Sequence, residues 1–300
     1  MRVQSVVLAI VVGVSWSDVG PVLSSSAARR ASFSDEFART KVVPLCAATE
    51  ESTPQTCLSS FFNNTMVLRK VTINCDKYSD TCSGYVAVNN QDKAIMIAFR
   101  STVGKKQLWA EFEATIKWIA GGYVSEYFYN AFMEVWLAGL ENAFLNASTK
   151  YKDYELWVVG HSLGGAMASL AASYVEKMKL FDGNRIKLVT LGQPRTGDVD
   201  FAKAHGKQIA YSFRITHSRD IVPHLPPESI EHYCHHKSEV FYNNNMTTAK
   251  YEECDEDESL KCSDHALDAS INDHHRYYNV FISRWGKVGC TGDPANPPDS

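Results

Sequence analysis

The sequence lacks the features that mark several classes of protein. No apolar run reaches the roughly 18 residues that a membrane span requires. Basic residues are not in excess, because 30 lysines and arginines stand against 34 aspartates and glutamates, for a net charge of −4. Such a chain has no basic field to attract nucleic acid. Internal repeats, glycine- and serine-rich linkers and the paired ligand spacing of zinc sites are also missing. We therefore expect one soluble globular domain with no nucleic-acid partner, no transmembrane segment and no bound metal.

The N-terminus has the pattern of an export signal. Val6–Val14 is an unbroken apolar stretch that is too short to span a bilayer, and Ser15 and Ser17 supply small residues at positions −3 and −1 of a cleavage site. This pattern predicts a secretory signal peptide over residues 1–17, a single mature domain over residues 18–300 and an extracellular location. A buried N-terminal helix or strand is the alternative interpretation.

Cysteine is well represented, with eight residues. An even number of cysteines behind a signal peptide predicts disulfides formed in an oxidising compartment. Cys75–Cys82 and Cys254–Cys262 are the favoured pairs, because each would close a short polar loop. The chain also carries three N-x-S/T sequons, which are compatible with glycosylated surface loops: Asn63, Asn146 and Asn245.

Apolar runs of strand length alternate with segments of helical character along the chain. The predicted strands are Tyr85–Val88, Ala94–Phe99, Leu156–Val159, Ile186–Leu191 and Ile209–Thr216, and the predicted helices are most of Phe112–Leu140 and Ala166–Lys179. Strands that alternate with helices indicate an α/β fold with a mostly parallel central sheet flanked by helices.

One motif on this framework carries chemistry. Gly160-His161-Ser162-Leu163-Gly164 fits G-x-S-x-G and lies between a predicted strand and a predicted helix. On such a turn the serine hydroxyl is lifted clear of the sheet, and the N–H of the next residue lies at a helix N-terminus, where an oxyanion would form. The motif therefore predicts that Ser162 is a nucleophile and Leu163 an oxyanion donor, with a simple tight turn as the alternative.

A serine nucleophile needs a base and an orienting acid, which follow it in this type of fold in the order acid, then histidine. Asp220 is the favoured acid, because it lies just past the strand Ile209–Thr216, at the sheet edge where ligands bind. Asp198 and Asp200 are rivals that we interpret as turn carboxylates. The base is expected on a late loop, where the sequence offers two adjacent candidates that it does not separate: His274 and His275.

Several stretches together resemble the fungal-lipase-like, or class 3, lipases. They are Phe99-Arg100-Ser101-Thr102, Gly160–Gly165, Leu191–Asp198, Arg219–Pro227 and Asp273–Tyr278, and the likeness extends over roughly residues 43–290. The resemblance implies an α/β-hydrolase fold and a secreted lipase or esterase. It implies hydrolysis of lipid esters, of the triacylglycerol type, through an acyl-enzyme and without a metal or organic cofactor.

The same resemblance assigns roles residue by residue. Ser162 would be the nucleophile and Asp220 the acid. The family pattern D-H-x-x-Y-aromatic matches Asp273–Tyr278 and selects His274 as the base, with His275 as the fallback. The two late cysteines Cys254 and Cys262 pair in the family, and Cys290 would pair with Cys46 or Cys57.

The family segment F-R-G-[ST] supplies the second half of the oxyanion hole. It makes Thr102 the donor that joins Leu163, and it shows one departure, because Ser101 stands where glycine is usual. The segment that follows Thr102 would be the lid over the site, and here it is short and polar. The alternatives to a lipase acting at a lipid–water interface are therefore an esterase or phospholipase on more soluble esters, or an inactive binding homologue.

Overall fold

The centre of the molecule is an eight-stranded mixed sheet, seen in a computed structural model that describes residues 31–75, 80–101, 114–263 and 269–298. The strands of these residues are β1 (Thr65–Asn74), β2 (Thr81–Asn89), β3 (Ala94–Phe99), β4 (Thr115–Lys117), β5 (Tyr123–Ser125), β6 (Glu155–His161), β7 (Ile186–Leu191), β8 (Gly197–Asp198), β9 (Tyr211–His217), β10 (Tyr233–Cys234), β11 (Glu239–Tyr242), β12 (Glu252–Cys254), β13 (Arg276–Tyr277) and β14 (Val280–Phe281). Across the large sheet the order is β1-β2-β3-β6-β7-β9-β11-β12.

The middle of this sheet is parallel. Strands β3, β6, β7, β9 and β11 run in one direction, whereas β1, β2 and β12 pair antiparallel with their neighbours. The strands that the sequence predicts are confirmed at β2, β3, β6, β7 and β9. Because the carboxyl ends of parallel strands meet at one edge, the segments after β3, β6 and β9 come together there.

Helices cover both faces of the sheet. In chain order they are α1 (Asp35–Phe37), α2 (Val43–Ala48), α3 (Pro54–Phe61), α4 (Glu126–Val135), α5 (Glu141–Lys150), α6 (Leu163–Lys177), α7 (Val199–Gln208), α8 (Ile271–His274) and α9 (Ile282–Lys287), with π turns at Ala38–Val42 and Trp136–Leu140 and 3₁₀ turns at Gly183–Arg185 and Val222–His224. Helix α6 confirms the helix predicted after the G-x-S-x-G motif.

Successive residues of the inner strands are buried on opposite faces of the sheet. In β3, Ile95 and Ile97 join one apolar cluster, whereas Ala94 and Met96 join another. The first cluster also includes Phe128 of α4, and the second includes residues of α2 and α9. Burial on both faces explains why these strands are continuously apolar in the sequence instead of alternating with polar residues.

The prediction of a mostly helical Phe112–Leu140 is wrong for its first part. Strands β4 and β5 form an antiparallel hairpin there, closed by Gly121 (φ 131°) and Gly122 (φ 71°). A Cβ atom on Gly122 would lie 2.2 Å from the backbone nitrogen of Phe201, so this turn requires a residue without a side chain. Helix α4 begins only after the hairpin.

Three disulfides cross-link the chain. Cys75–Cys82 and Cys254–Cys262 confirm the two pairs expected from short loops, and Cys57–Cys290 confirms one of the two pairings that the resemblance implied. Cys46 and Cys234 are buried free thiols, so the expectation from an even cysteine count is wrong for them.

Residues Ala31–Ser300 form one compact unit. No helix within the described parts of the chain combines the length and the apolar character needed to cross a membrane. The signal peptide predicted over residues 1–17 lies outside the described residues.

Candidate active site

Ser162 stands on a sharp turn between β6 and α6. Its backbone has φ 57° and ψ −130°, a conformation that L-residues rarely adopt and that the surrounding structure must enforce. Two backbone hydrogen bonds hold it, from Ser162 N to Leu191 O at 2.9 Å and from Gly165 N to Ser162 O at 2.8 Å. The turn therefore presents the serine at the carboxyl edge of the parallel strands.

The glycines on either side of the serine are required by close packing. A Cβ atom on Gly160 would lie 2.0 Å from the carbonyl oxygen of Gly164. A Cβ atom on Gly164 would in turn lie 2.2 Å from the carbonyl oxygen of Phe99, at the end of β3. These distances are too short for any side chain, so the spacing of the motif reflects how closely α6 starts beside the sheet.

Asp220 follows β9 and is buried. Its carboxylate accepts from the backbone of Val222 at Oδ1 (2.9 Å) and from the Tyr277 hydroxyl at Oδ2 (2.6 Å). Its own N–H donates to His217 O at 2.9 Å. These bonds fix the orientation of the carboxylate.

His274 is the histidine that meets this acid. Its Nδ1 lies 2.9 Å from Asp220 Oδ2, although the two residues are 54 positions apart in sequence. A Cβ atom on Gly192 (φ 57°) would lie 2.8 Å from Asp220 Oδ2 and 2.9 Å from His274 Nδ1. The backbone at Gly192 therefore lies so close to the pair that no side chain fits there. With Nδ1 engaged, Nε2 is the atom of this ring left for proton transfer.

His161 links the histidine to the serine turn. Its ring stacks on that of His274, with centroids 4.7 Å apart, and its Nε2 lies 2.8 Å from the carbonyl oxygen of His274. Burial, followed by the charge of His274, lowers the pKa of His161 well below the ordinary value. A neutral His161 donates Nε2–H to that carbonyl. The residue next to Ser162 therefore holds the backbone of His274 in place.

The other predicted candidates lie elsewhere. The ring of His275 stacks on Phe281, with centroids 5.4 Å apart, and burial lowers its pKa. Asp198 caps helix α7 by accepting from Phe201 N at 2.8 Å, and Asp200 is exposed. The structure thus pairs His274, and not its neighbour, with Asp220, and Asp198 is the turn carboxylate that the sequence predicts.

Of the two oxyanion donors predicted from the sequence, one lies within the described residues. Leu163 begins helix α6, and the N–H groups of a first helical turn have no partner within their helix. Thr102, the second donor implied by the resemblance, and the lid segment after it lie outside the described residues. Ser101 is described, and it is not among the non-glycine residues with positive φ. The serine at this position therefore does not need the left-handed conformation that favours glycine.

Three residues of this site had no role assigned from the sequence: His161, Gly192 and Tyr277. Tyr277 is the tyrosine of the D-H-x-x-Y pattern, which selects His274 but assigns no role to the tyrosine itself. His161 lies inside the G-x-S-x-G motif at a position where the motif allows any residue. No local pattern marks Gly192. The residues that leave no room for a side chain there lie far along the chain.

Comparisons with known proteins show that the chain is similar to lipases. A family profile described as lipase (class 3) matches residues 96–230. A lipase of Caenorhabditis elegans is 31% identical over 277 residues, which cover 80% of this chain and 77% of that protein. A secreted mono- and diacylglycerol lipase of Fusarium solani is 31% identical over 207 residues, which cover 66% of this chain and 60% of that protein.

A solved structure extends the likeness to the fold. It is a triacylglycerol lipase whose catalytic centre is formed by a serine-protease triad. It superposes with a TM-score of 0.71 at 25% identity, covering 83% of this chain and 96% of that one. The sheet and helices described above are thus an α/β-hydrolase fold, and the protein is a carboxylic ester hydrolase. The chain belongs to the class 3 lipase family.

Proposed function

We propose that this protein is a secreted lipase that cleaves lipid esters, of the acylglycerol type, by two-step acyl transfer at Ser162. The Asp220–His274 hydrogen bond of 2.9 Å beside the serine turn is the observation that carries the proposal. A mono- and diacylglycerol lipase and a triacylglycerol lipase among the similar proteins support the class of substrate.

The first step forms the acyl-enzyme. His274 Nε2 takes the proton of Ser162 as Oγ attacks the ester carbonyl, and Asp220 orients the ring and stabilises its charged form without taking the proton. The carbonyl oxygen becomes negative and accepts from the N–H groups of Leu163 and Thr102. When the tetrahedral intermediate collapses, His274 gives the proton to the departing alkoxide, and the alcohol leaves.

The second step releases the acid. A water molecule attacks the acyl carbonyl while His274 Nε2 takes one of its protons, and the oxyanion forms again in the same place. Collapse expels Ser162 Oγ, which recovers its proton from His274. Every proton is carried by the imidazole, so the reaction requires no metal or organic cofactor.

Ser162→Ala tests the nucleophile. Because the hydroxyl forms the covalent bond, we expect the variant to lose roughly a millionfold in kcat on a p-nitrophenyl ester, as in other serine hydrolases. Ser169→Ala is the matched control, since Ser169 is a fully buried serine of α6, the helix that begins just after Ser162. Near-normal turnover by pure Ser162→Ala protein would overturn the proposal.

A fluorophosphonate probe distinguishes an enzyme from an inactive binding homologue. The probe forms a bond only with an activated serine, so we expect one label per wild-type chain, on Ser162, and none on Ser162→Ala. An unlabelled wild-type protein would favour the inactive homologue.

The choice between a lipase and an esterase or phospholipase depends on the physical state of the substrate. We expect turnover of long-chain acylglycerols to rise when their concentration passes the solubility limit. Short-chain soluble esters would then be poorer substrates. Equal or better turnover of soluble esters or phospholipids would favour the alternatives.

Export and glycosylation belong to the same proposal. The three sequon asparagines, Asn63, Asn146 and Asn245, are all exposed, and the three disulfides fit an oxidising compartment. When the full chain is expressed in a secreting eukaryotic host, we expect to recover the protein from the culture medium with Asp18 as its first residue. Treatment with an N-glycosidase should lower its apparent mass. Retention inside the cell, with an intact N-terminus, would contradict it.

A further inference from the structure

A carboxylate from the N-terminal part of the chain reaches the segment that follows β3. Ser101, at the position where the resemblance predicts glycine, donates its hydroxyl to Glu50 Oε1 at 3.2 Å. Ser283 donates to the same oxygen at 3.0 Å. Since Glu50 follows α2 and Ser283 lies in α9, one oxygen atom joins both ends of the chain to the segment after β3.

Glu50 lies among groups that favour its acceptor role. Burial raises the pKa of its carboxyl, and the Arg100 charge, the Ser283 hydroxyl and the Lys287 charge act in the opposite direction. Arg100 is itself held, because its guanidinium donates to Thr81 Oγ1 at 2.6 Å. Two serine hydroxyls and two positive charges thus oppose the effect of burial on this carboxyl.

The position of Glu50 is fixed by tight packing of α2 against α9. A Cβ atom on Gly286 of α9 would lie 2.1 Å from the carbonyl oxygen of Ala47 and 3.0 Å from the Cβ atom of Glu50. The Cys57–Cys290 disulfide joins α3, the next helix after Glu50, to the residues that follow α9. Glu50 is thus a fixed support for Ser101.

Ser101 comes directly after the strand that lies beside the nucleophile turn. Phe99 pairs with Gly160 in the parallel ladder of β3 and β6. A Cβ atom on Gly164 would lie 2.2 Å from the carbonyl oxygen of Phe99 and 2.9 Å from that of Arg100. The backbone leading into Ser101 therefore packs against the start of α6, where the Leu163 N–H would receive the oxyanion.

We propose that Glu50 is a positioning residue for the oxyanion side of the active site, and that it acts through Ser101. The carboxylate holds the backbone after β3 against the start of α6, so that the Leu163 N–H keeps its position as charge develops. In this chain a tethered serine replaces a free glycine. The inference rests on the proposed function, since it requires Ser162 as the nucleophile.

Removal of the tether is expected to affect the transition state more than the bound substrate. For Ser101→Ala and for Glu50→Ala we expect kcat to fall about tenfold with KM changed less than about twofold, part of the 10²–10³-fold that loss of a whole oxyanion donor costs. The affinity for a boronic acid inhibitor, which mimics the tetrahedral intermediate, should fall by the same factor. Glu50→Gln keeps an acceptor oxygen and should retain most of kcat.

A double-mutant cycle distinguishes positioning from a general structural role. If Glu50 acts through Ser101, the variant with both alanines loses no more activity than either single variant. Glu51→Ala is the matched control, because it removes the neighbouring carboxylate and leaves both serine bonds in place, and we expect its kcat to be unchanged.

Two results would overturn the inference. They are an unchanged kcat in Ser101→Ala, and additive losses in the double variant. Fluorophosphonate labelling of Ser162, taken to completion, counts the active sites in each variant. If the wild type is fully labelled, either of these two results overturns the inference about Glu50 and leaves the proposed function standing. A wild type that is not labelled would instead overturn the proposed function. If Glu50→Ala does not fold, Ser101→Ala and Glu50→Gln carry the test.

Discussion

Two pairs of buried histidines stack ring against ring in the described parts of the chain, and they differ in what lies next to them. His161 and His274 stack with centroids 4.7 Å apart, and His274 is bonded to the carboxylate of Asp220. His205 and His236 stack at 3.9 Å, but His236 contacts the neutral side chains of Gln193 and Ser212. The stacking is shared, whereas the bonded carboxylate belongs to the first pair.

The second pair shows what burial does to a histidine that has no such acid. Burial lowers the pKa of His205 to about 3, and with the charge of His205 it lowers that of His236 well below the ordinary value. Both rings are therefore neutral over the physiological range. Burial in the second pair thus favours neutral rings, whereas the first pair has a carboxylate bonded to Nδ1 of His274.

The largest effect is expected from removing the proposed base. His274→Ala should lower kcat roughly a millionfold, because neither the proton of Ser162 nor that of the leaving group then has a carrier. His275→Ala is the matched control, and its kcat should stay within about fivefold of wild type, since its ring packs on Phe281. Ester turnover per mole of pure, folded protein measures both. The reverse ranking would assign the base to His275.

Asp220→Asn replaces the carboxylate beside His274 with a neutral amide, so that the first pair, like the second, is bonded to a neutral side chain. The amide keeps the shape but does not stabilise a charged ring or fix its tautomer, so kcat should fall about 10⁴-fold. Asp198→Asn is the control, because asparagine caps a helix as well as aspartate does and activity should be retained. A loss below about tenfold in Asp220→Asn would mean that the carboxylate is not the orienting acid.

The smallest effect concerns stability. The pKa of folded His205 is about 3 against an ordinary 6.5, so between these values the unfolded chain binds a proton that the folded chain does not. This contribution to stability is complete above pH 6.5 and is lost as the pH falls. In His205→Phe, the decrease in unfolding free energy between about pH 6 and 4 should be less steep by about 1.4 kcal/mol per pH unit.

Urea unfolding at several pH values measures this slope. His232→Gln is the control, because His232 is exposed and its replacement should leave the slope as it is in wild type. An unchanged slope in His205→Phe would show that His205 is already protonated in the folded protein, and the contrast between the two pairs would disappear.

The sequence predicts the parts of the site that depend on neighbouring residues. The turn at Ser162 is recognisable because the glycines, the strand and the helix are all local. Asp220 is recognisable because it follows the end of a predicted strand. His274 and His275 share one local environment, so the residues alone do not separate them. The choice depends on contact with Asp220, which only the folded chain or a family pattern provides.

The fold shows the same division. Continuous apolar runs locate the inner strands of the sheet. The aromatic-rich segment Phe112–Leu140 predicts a helix, whereas a hairpin occupies its first part. The hairpin depends on how Gly122 packs against Phe201, a contact across 79 positions of the chain. Glu50 has no local signal either, because its partners Ser101 and Ser283 lie 51 and 233 residues away.

The Cys57–Cys290 disulfide closes a loop of 233 residues that contains Ser162, Asp220 and His274. A protease that cuts once anywhere inside this loop produces two fragments that stay bonded to each other. Such a nicked molecule would migrate as a single species without reductant and would separate only when reductant is added. A single cut inside the loop thus breaks the backbone without releasing either fragment.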